Sequence, residues 1–355
     1  MILPLKSFLR TAGIVNVRMT GRRFFNLIRI YSSMYLSRIL RRQFVWGYPP
    51  VLMVEPTNIC NLKCPMCPSG NGQMKRATGQ LDLHNFRKVM DDIGEYLMQV
   101  QLWNQGEPLI NKNFLQFVTY AKSKGVMTQT STNGHFIRTD AQAEALIRSG
   151  LDVLIFSLDG TNAESYAKYR VGGNFNLVLE ALERIARVKR ELGSRTPMVE
   201  LQFLVFKHNQ DEIEKIVSIS KKFDLDRLSF KTAQVYSQEQ GDTFLPEDSR
   251  FNRYDRQDGT YKLKGNIPNW CKRLWINPAV NWDGRVSPCC FDKDADHAFG
   301  NLFENGGGFR RIWKNARYNK FRRQIMTDRK RIEMCTNCTE GLPEPYTRII
   351  ETSDA

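Results

Sequence analysis

The chain has 355 residues, 41% hydrophobic and 25% charged, enough to bury one large domain and a smaller one. Its formal charge of +15 suits a polyanionic neighbour: an anionic membrane surface, a phosphorylated substrate or a nucleic acid. No uncharged apolar run approaches the ~20 residues of a membrane-spanning helix; Lys6, Arg10 and Arg18 interrupt any signal-peptide core, and eight cysteines clustered without a secretory signal argue for metal in a reducing compartment rather than disulfides.

Residues 1–48 read as a basic helical extension. Phe24, Phe25, Leu27, Ile28, Tyr31, Met34, Tyr35, Ile39 and Leu40 recur at near-helical spacing, bordered by Arg22, Arg23, Arg29, Arg38, Arg41 and Arg42. Residues 1–54 hold one Lys and eight Arg and no Asp or Glu. An apolar stripe with an arginine border describes an interfacial amphipathic helix; a helix packed on the following domain is the equal alternative. The first reading predicts a cytoplasmic protein attached peripherally to the inner face of an anionic membrane, with a lipid-linked substrate as a corollary.

Val51–Val54 is a short apolar run, read as a buried strand that Glu55, Pro56, Thr57 and Asn58 terminate. The loop that follows is Cys60-Asn61-Leu62-Lys63-Cys64-Pro65-Met66-Cys67. Thiolates are soft ligands for iron–sulfur clusters, zinc or copper(I). Three on one loop can hold three irons of a cubane [4Fe–4S] cluster and leave the fourth open. A zinc site is the alternative, but no fourth Cys or His lies nearby to complete a tetrahedron.

These eight residues resemble the cluster motif of the radical S-adenosylmethionine (SAM) enzymes. The resemblance implies that the open iron binds the amino and carboxylate groups of SAM. An electron from the cluster then cleaves SAM to methionine and a 5′-deoxyadenosyl radical, which abstracts a substrate hydrogen. The residue before the third cysteine is usually aromatic in that family. Here it is Met66, flexible and polarizable enough to cover the adenine.

From Val51 to Thr232 strand and helix signals alternate. Strands are expected at Val51–Glu55, Val100–Trp103, Met127–Thr132, Val153–Leu158, Val199–Phe206 and Arg227–Lys231, with helices near 83–98, 113–124, 140–149, 174–192 and 211–223. Gly125 and Gly150 stand where helices should end. Such repeats imply parallel strands with crossover helices. The resemblance makes this α/β region an open (β/α)6 partial TIM-like barrel over residues 49–240, with chemistry at the C-terminal strand ends.

Three short stretches fall at those ends. Gln105-Gly106-Glu107-Pro108 resembles the family's GGEP motif, which implies that Gly106 and Glu107 meet the SAM amino group. Ser131-Thr132-Asn133-Gly134 and Ser157-Leu158-Asp159-Gly160 follow the next two strands. By the same resemblance, Asn133 joins the SAM contacts, and Ser157 and Arg170 hold the ribose and carboxylate; a guanidinium fork suits a carboxylate.

Residues 233–265 are polar and irregular, and 241–265 is read as a connector over the barrel mouth. A second metal site spans 266–345. It takes Cys271, then Cys289 or Cys290 beyond a hairpin turn at Asp283-Gly284, then a helix over about 309–326, then Cys335 and Cys338. Four thiolates can close around one [4Fe–4S] cluster or one zinc. The pattern resembles the SPASM/twitch extension of radical SAM proteins. Its spacing from glycine to cysteine selects Gly284 with Cys289 and leaves Cys290 spare; the full SPASM pattern carries more cysteines and two auxiliary clusters, and the five here imply one. The basic run from Arg310 to Arg331 reads as a solvated face, and residues 346–355 as a tail.

The resulting expectation is a radical SAM oxidoreductase acting on a small or lipid-linked molecule. The auxiliary cluster would accept an electron, and a flavodoxin or ferredoxin would donate to the first cluster. The rivals are a peptide maturase, an epimerase with Cys290 as hydrogen donor, and a non-catalytic metal module on nucleic acid, for which no recognised motif appears.

Overall fold

In the computed structural model, which describes residues 17–304, 307–342 and 347–351, helix α1 (Gly21–Leu40) precedes six parallel strands. These are β1 (Val51–Val54), β2 (Gln99–Gln101), β3 (Met127–Thr132), β4 (Val153–Ser157), β5 (Met198–Val205) and β6 (Arg227–Thr232), side by side in chain order. The crossovers carry α2 (Leu83–Ile93), α3 (Phe114–Ser123), α4 (Asp140–Arg148), α5 (Phe175–Glu191) and α6 (Ile213–Lys222). The parallel strands and crossover helices expected from the alternating signals are therefore present, in the order of the partial barrel that the resemblance implies.

Local chemistry explains the elements. α2 starts at Asp82, whose carboxylate accepts from Asn85 N, and it buries Phe86, Val89, Met90 and Ile93, three to four residues apart. α4 opens with a reciprocal cap between Thr139 and Gln142. Gly125 and Gly150, just beyond α3 and α4, take φ of +67° and +83°, as helix C-termini require. Every residue of β4 is buried, as in a strand covered on both faces.

The sheet extends past the six strands at both edges. β9 (Ala279–Val280) runs parallel to β1, and β10 (Val286–Ser287) returns antiparallel around the expected Asp283-Gly284 turn. At the other edge β11 (Thr347–Glu351) pairs antiparallel with β6. The segment expected as a tail thus contains an edge strand that covers the open side of β6.

The connector also departs from expectation. It holds a short helix, Gln238–Phe244, and an antiparallel hairpin, β7 (Tyr254–Gln257) and β8 (Thr260–Leu263). Asp258 and Gly259 turn it with φ of +49° and +73°, a dipeptide suited to tight hairpins. The expected helix over 309–326 is split. Phe309–Trp313 ends at Lys314, and Asn315 caps α7 (Ala316–Asp328) by accepting from Tyr318 N.

α1 seats on the N-terminal ends of the barrel strands through a largely polar face. Arg23 donates to the carbonyls of Arg18, Gly94 (3.2 Å), Lys124 (2.7 Å) and Gly125 (2.8 Å). Gly94 and Gly125 precede β2 and β3. A cation suits the C-terminal ends of the two helices that finish there. Asn26 brackets the Tyr48 backbone, accepting from its N (2.8 Å) and donating to its O (3.0 Å). Ser37 does the same for Phe44. The helix does pack on the barrel, as the alternative to an interfacial helix has it, and Ile30 and Met34 join the core; of the apolar stripe, Phe24, Phe25, Ile28, Tyr31, Tyr35, Ile39 and Leu40 stay exposed.

Candidate functional site

The cysteine loop leaves the C-terminal end of β1. Cys67 N donates to Cys64 O (3.1 Å), and Cys67 then opens a one-turn helix, Pro68–Asn71. Cys64 is buried; Cys60 and Cys67 are half-buried. Burial pushes the Cys60 thiol up to about 11, and nearby Glu107, Cys64 and Cys67 push it the same way. Burial raises Cys64 as well, against the pull of Arg170. Thiols so placed keep their protons until a metal displaces them.

Gly106 lies directly beneath this loop. A Cβ there would stand 2.7 Å from backbone atoms of Thr57, Asn58 and Ile59, and its φ is +75°. Glu107 is held within the chain. Its carboxylate is buried and already accepts from Leu109 N (3.1 Å), the Thr132 hydroxyl (2.8 Å) and Asn133 N (2.7 Å). It ties the segment after β2 to the end of β3. Burial outweighs those bonds and raises its pKa to about 6.

Asn133 reaches the loop itself, donating from Nδ2 to Asn61 Oδ1 (2.8 Å), with Cys60 Sγ at 3.9 Å. Ser157 ends β4 and is buried. Arg170 is fixed within the chain. Its Nε donates to Asp159 Oδ2 (2.5 Å), and its guanidinium faces Cys64. Burial opposes its charge, but Asp159 and Cys64 outweigh burial and hold it charged. It is placed to balance anionic sulfur.

Beside the loop opens a cavity of about 310 Å³ whose lining includes Met66, Cys67, Gln105 and Gly106. Lys231, Arg253 and Lys293 also line it, and no Asp or Glu does. A larger space of about 790 Å³ shares Met66, Pro68 and Tyr236 with it and runs along Thr260, Tyr261, Lys262 and Leu263 of β8.

One residue missed in the sequence joins the barrel to the second domain. Glu55, read as a strand terminator, is fully buried and held by both terminal nitrogens of Arg76, one at 2.6 Å. It also accepts from Gln105 N and Trp282 N, each 3.2 Å. Arg76 Nε donates onward to Lys293 O (2.6 Å). Trp282 lies over Gly79, where a Cβ would stand 2.4 Å from the ring.

The second site gathers Cys271, Cys289, Cys335 and Cys338, all buried. Burial pushes Cys271 up to about 12 and Cys335 to about 11, and raises Cys289 and Cys338 too. Arg329, fully buried, pulls Cys271, Cys335 and Cys338 back down while donating to the carbonyls of Trp270 (3.0 Å) and Glu340 (2.7 Å). Arg273 bonds Glu340 (3.0 Å) and points Nη1 at Cys290 Sγ (3.7 Å). Cys290 is half-buried, on the side of Arg273 and Lys231. Among the described residues, no three Cys, His, Asp or Glu side chains close on one metal-ion position. A cubane does not ask for that, because each thiolate binds a different iron. Three thiols at the barrel mouth, and four buried ones beside the buried Arg329 and the half-buried Arg273, fit two such clusters.

A partial barrel with a thiol loop at its strand ends defines a class, the barrel enzymes that carry a catalytic iron–sulfur cluster. The family comparisons make this specific. Residues 54–219 match the Radical SAM superfamily model and residues 271–339 match SPASM, an iron-sulfur cluster-binding domain. The chain belongs to the radical SAM superfamily, is an enzyme, and carries the domains for a SAM-binding [4Fe–4S] cluster and auxiliary iron–sulfur binding.

It is 24% identical over 320 residues to the tungsten-containing aldehyde ferredoxin oxidoreductase cofactor-modifying protein of Pyrococcus furiosus, covering 81% of this chain and 86% of that one. It is 27% identical over 303 residues to the mycofactocin maturase MftC of Mycobacterium ulcerans, 78% of each chain. Among solved structures, Streptococcus suis SuiB bound to the precursor peptide SuiA aligns with a TM-score of 0.60 at 15% identity, over 89% of this chain and 77% of that one.

Proposed function

We propose that this radical SAM enzyme is a maturase that modifies a peptide. Cys60, Cys64 and Cys67 hold the SAM-binding cluster, and Cys271, Cys289, Cys335 and Cys338 hold one auxiliary [4Fe–4S] cluster. When bound, the first cluster and SAM together supply the radical chemistry that removes a substrate hydrogen. Met66 and Gly106 on the cavity wall, with Asn133 and Ser157 at the ends of β3 and β4, form the SAM side. Arg170 neutralises the thiolate set. Lys231, Arg253 and Lys293 favour a carboxylate beside it.

The observation that carries the peptide reading is the border of the larger space. Four consecutive residues of β8 line it, so the strand turns its edge toward the cavity. β8 pairs with β7 on one side only among the described residues. An unpaired strand edge is what an extended peptide adds to. The relatives support the same reading, since MftC is named a maturase and SuiB is seen with a precursor peptide. Oxidation of a small or lipid-linked molecule is the weaker reading, because α1 sits at the far end of the barrel from the cysteine loop. The enzyme works in a reducing cytoplasm with a flavodoxin or ferredoxin as donor.

The test is anaerobic reconstitution with iron and sulfide, then deoxyadenosine assay and mass spectrometry. Pooled synthetic peptides and small alcohols run in parallel. Peptide-dependent deoxyadenosine and a changed peptide mass are expected. Stimulation by the alcohols alone would overturn the proposal.

A further inference from the structure

α1 presents its apolar stripe to solvent. Its buried residues are Arg23, Asn26, Ile30, Ser33, Met34 and Ser37. At about 100° per residue, Phe24, Ile28, Tyr31, Tyr35 and Ile39 centre about 150° away from them around the helix. Phe25 is 62% exposed, Tyr35 56% and Ile39 76%. Of eleven large apolar side chains exposed among the described residues, nine lie between Met19 and Trp46. The remainder of the surface is ordinary, and this one helix is not.

The charge around the stripe selects what covers it. Arg29, Arg38, Arg41 and Arg42 are exposed, and no carboxylate pairs with them among the described residues. Among the described residues, Arg22 is the arginine of α1 that meets a carboxylate, Glu95. Residues 1–54 contain no Asp or Glu, so a second copy seated on this face would set arginine against arginine. A surface of lipid phosphates meets the stripe and the arginines together. No helix among the described residues is long and apolar enough to cross a membrane.

We infer that α1 is an interfacial anchor. It lays Phe24, Phe25, Ile28, Tyr31, Tyr35 and Ile39 into the headgroup boundary of an anionic bilayer and sets Arg29, Arg38, Arg41 and Arg42 on lipid phosphates. The inference goes beyond the peptide reading and does not depend on it. The helix is fastened to carbonyls at Gly94, Lys124 and Gly125, before β2 and β3, whereas the cysteine loop leaves the opposite end of β1. Attachment therefore holds the barrel mouth away from the lipid, and substrate enters from the aqueous side.

The experiment is sedimentation of the cluster-loaded, full-length protein with phosphatidylcholine vesicles, with and without phosphatidylserine, at low and high salt. Binding should need phosphatidylserine and fall with salt. Two variants should each lose binding by about tenfold or more: F25E with I39E, and R29S with R38S, R41S and R42S. Both should keep wild-type SAM cleavage, which shows that they fold. Retention in the supernatant at low salt with phosphatidylserine overturns the inference. So does unchanged binding by both variants, or a stable dimer that F25E with I39E dissolves.

Discussion

The two cysteine sites are built on opposite plans. The first takes three thiols from eight residues of one loop, and two of them are half-buried at the barrel mouth. The second takes four buried thiols from residues 271–338 and sets Arg329 and Arg273 against them. Three ligands leave an iron for a small molecule, and half-burial gives that molecule room. Four ligands in a sealed pocket leave no iron to bind substrate, so such a site suits electron storage or structure. Exposure, rather than cysteine count alone, separates the two roles.

The most damaging way to test this division is to replace Cys60, Cys64 and Cys67 together with Ala. Deoxyadenosine formation should cease and about four irons should be lost while about four remain. Undiminished cleavage would end the radical SAM reading of this loop.

Removing the sealed site should do less. Cys335→Ala with Cys338→Ala should take away the other iron, about half the total, while SAM still binds at the barrel. Zinc in place of iron there would break the comparison. Cys289→Ala should lose this iron and Cys290→Ala should keep it; the reverse would exchange their roles.

Glu55→Gln sharpens the comparison by striking the link between the sites. It leaves the buried Arg76 without its carboxylate, and removing one partner of a buried pair costs about 3–5 kcal/mol. Urea unfolding should show the loss, and iron retention should fall at both sites. A change below about 1 kcal/mol would mean the sites are held independently.

The smallest expected effect belongs to Glu107. Its folded pKa, raised by burial from 4.5 to about 6, means the folded state binds the proton more tightly. The stability this contributes is full below about 4.5 and is lost as pH rises through about 6, some 2 kcal/mol in all. Stability of the wild type relative to Glu107→Gln should fall across that window. Parallel curves would show that Glu107 is not held as described.

The cysteine loop, the βα alternation and the hairpin turn at Asp283-Gly284 were legible because each is written in neighbouring residues. Glu55 was not, since Arg76, Gln105 and Trp282 reach it from 21, 50 and 227 positions away. β9 and β10 are two residues long, too short to show a period. The Asp258-Gly259 signal was present in the connector and passed over amid polar residues. In α1 the stripe was visible but its direction was not. The inward face is polar, and what it satisfies are carbonyls at the ends of other helices, which no periodicity reveals. Glu107 and Arg170 sit in stretches that resemble SAM contacts, yet their partners, Asn133 and Asp159, emerge only from the folded strand ends.

The pairing of β9 with β1 acts as a ruler. Met53 faces Ala279 and Val54 faces Val280, fastened by Met53 N to Pro278 O (3.0 Å) and Glu55 N to Val280 O (2.9 Å). From those paired residues the chain runs on to Cys60 in one direction and to Cys289 in the other. A slip of one residue would offset the two thiol sets by about 3.3 Å. The gap between the sites is thus a matter of chain length. One residue inserted between Val280 and Cys289 would change it, and Tyr254 Oη, which donates to Asn337 Oδ1 (2.7 Å), fastens the 233–265 stretch to the residue before Cys338.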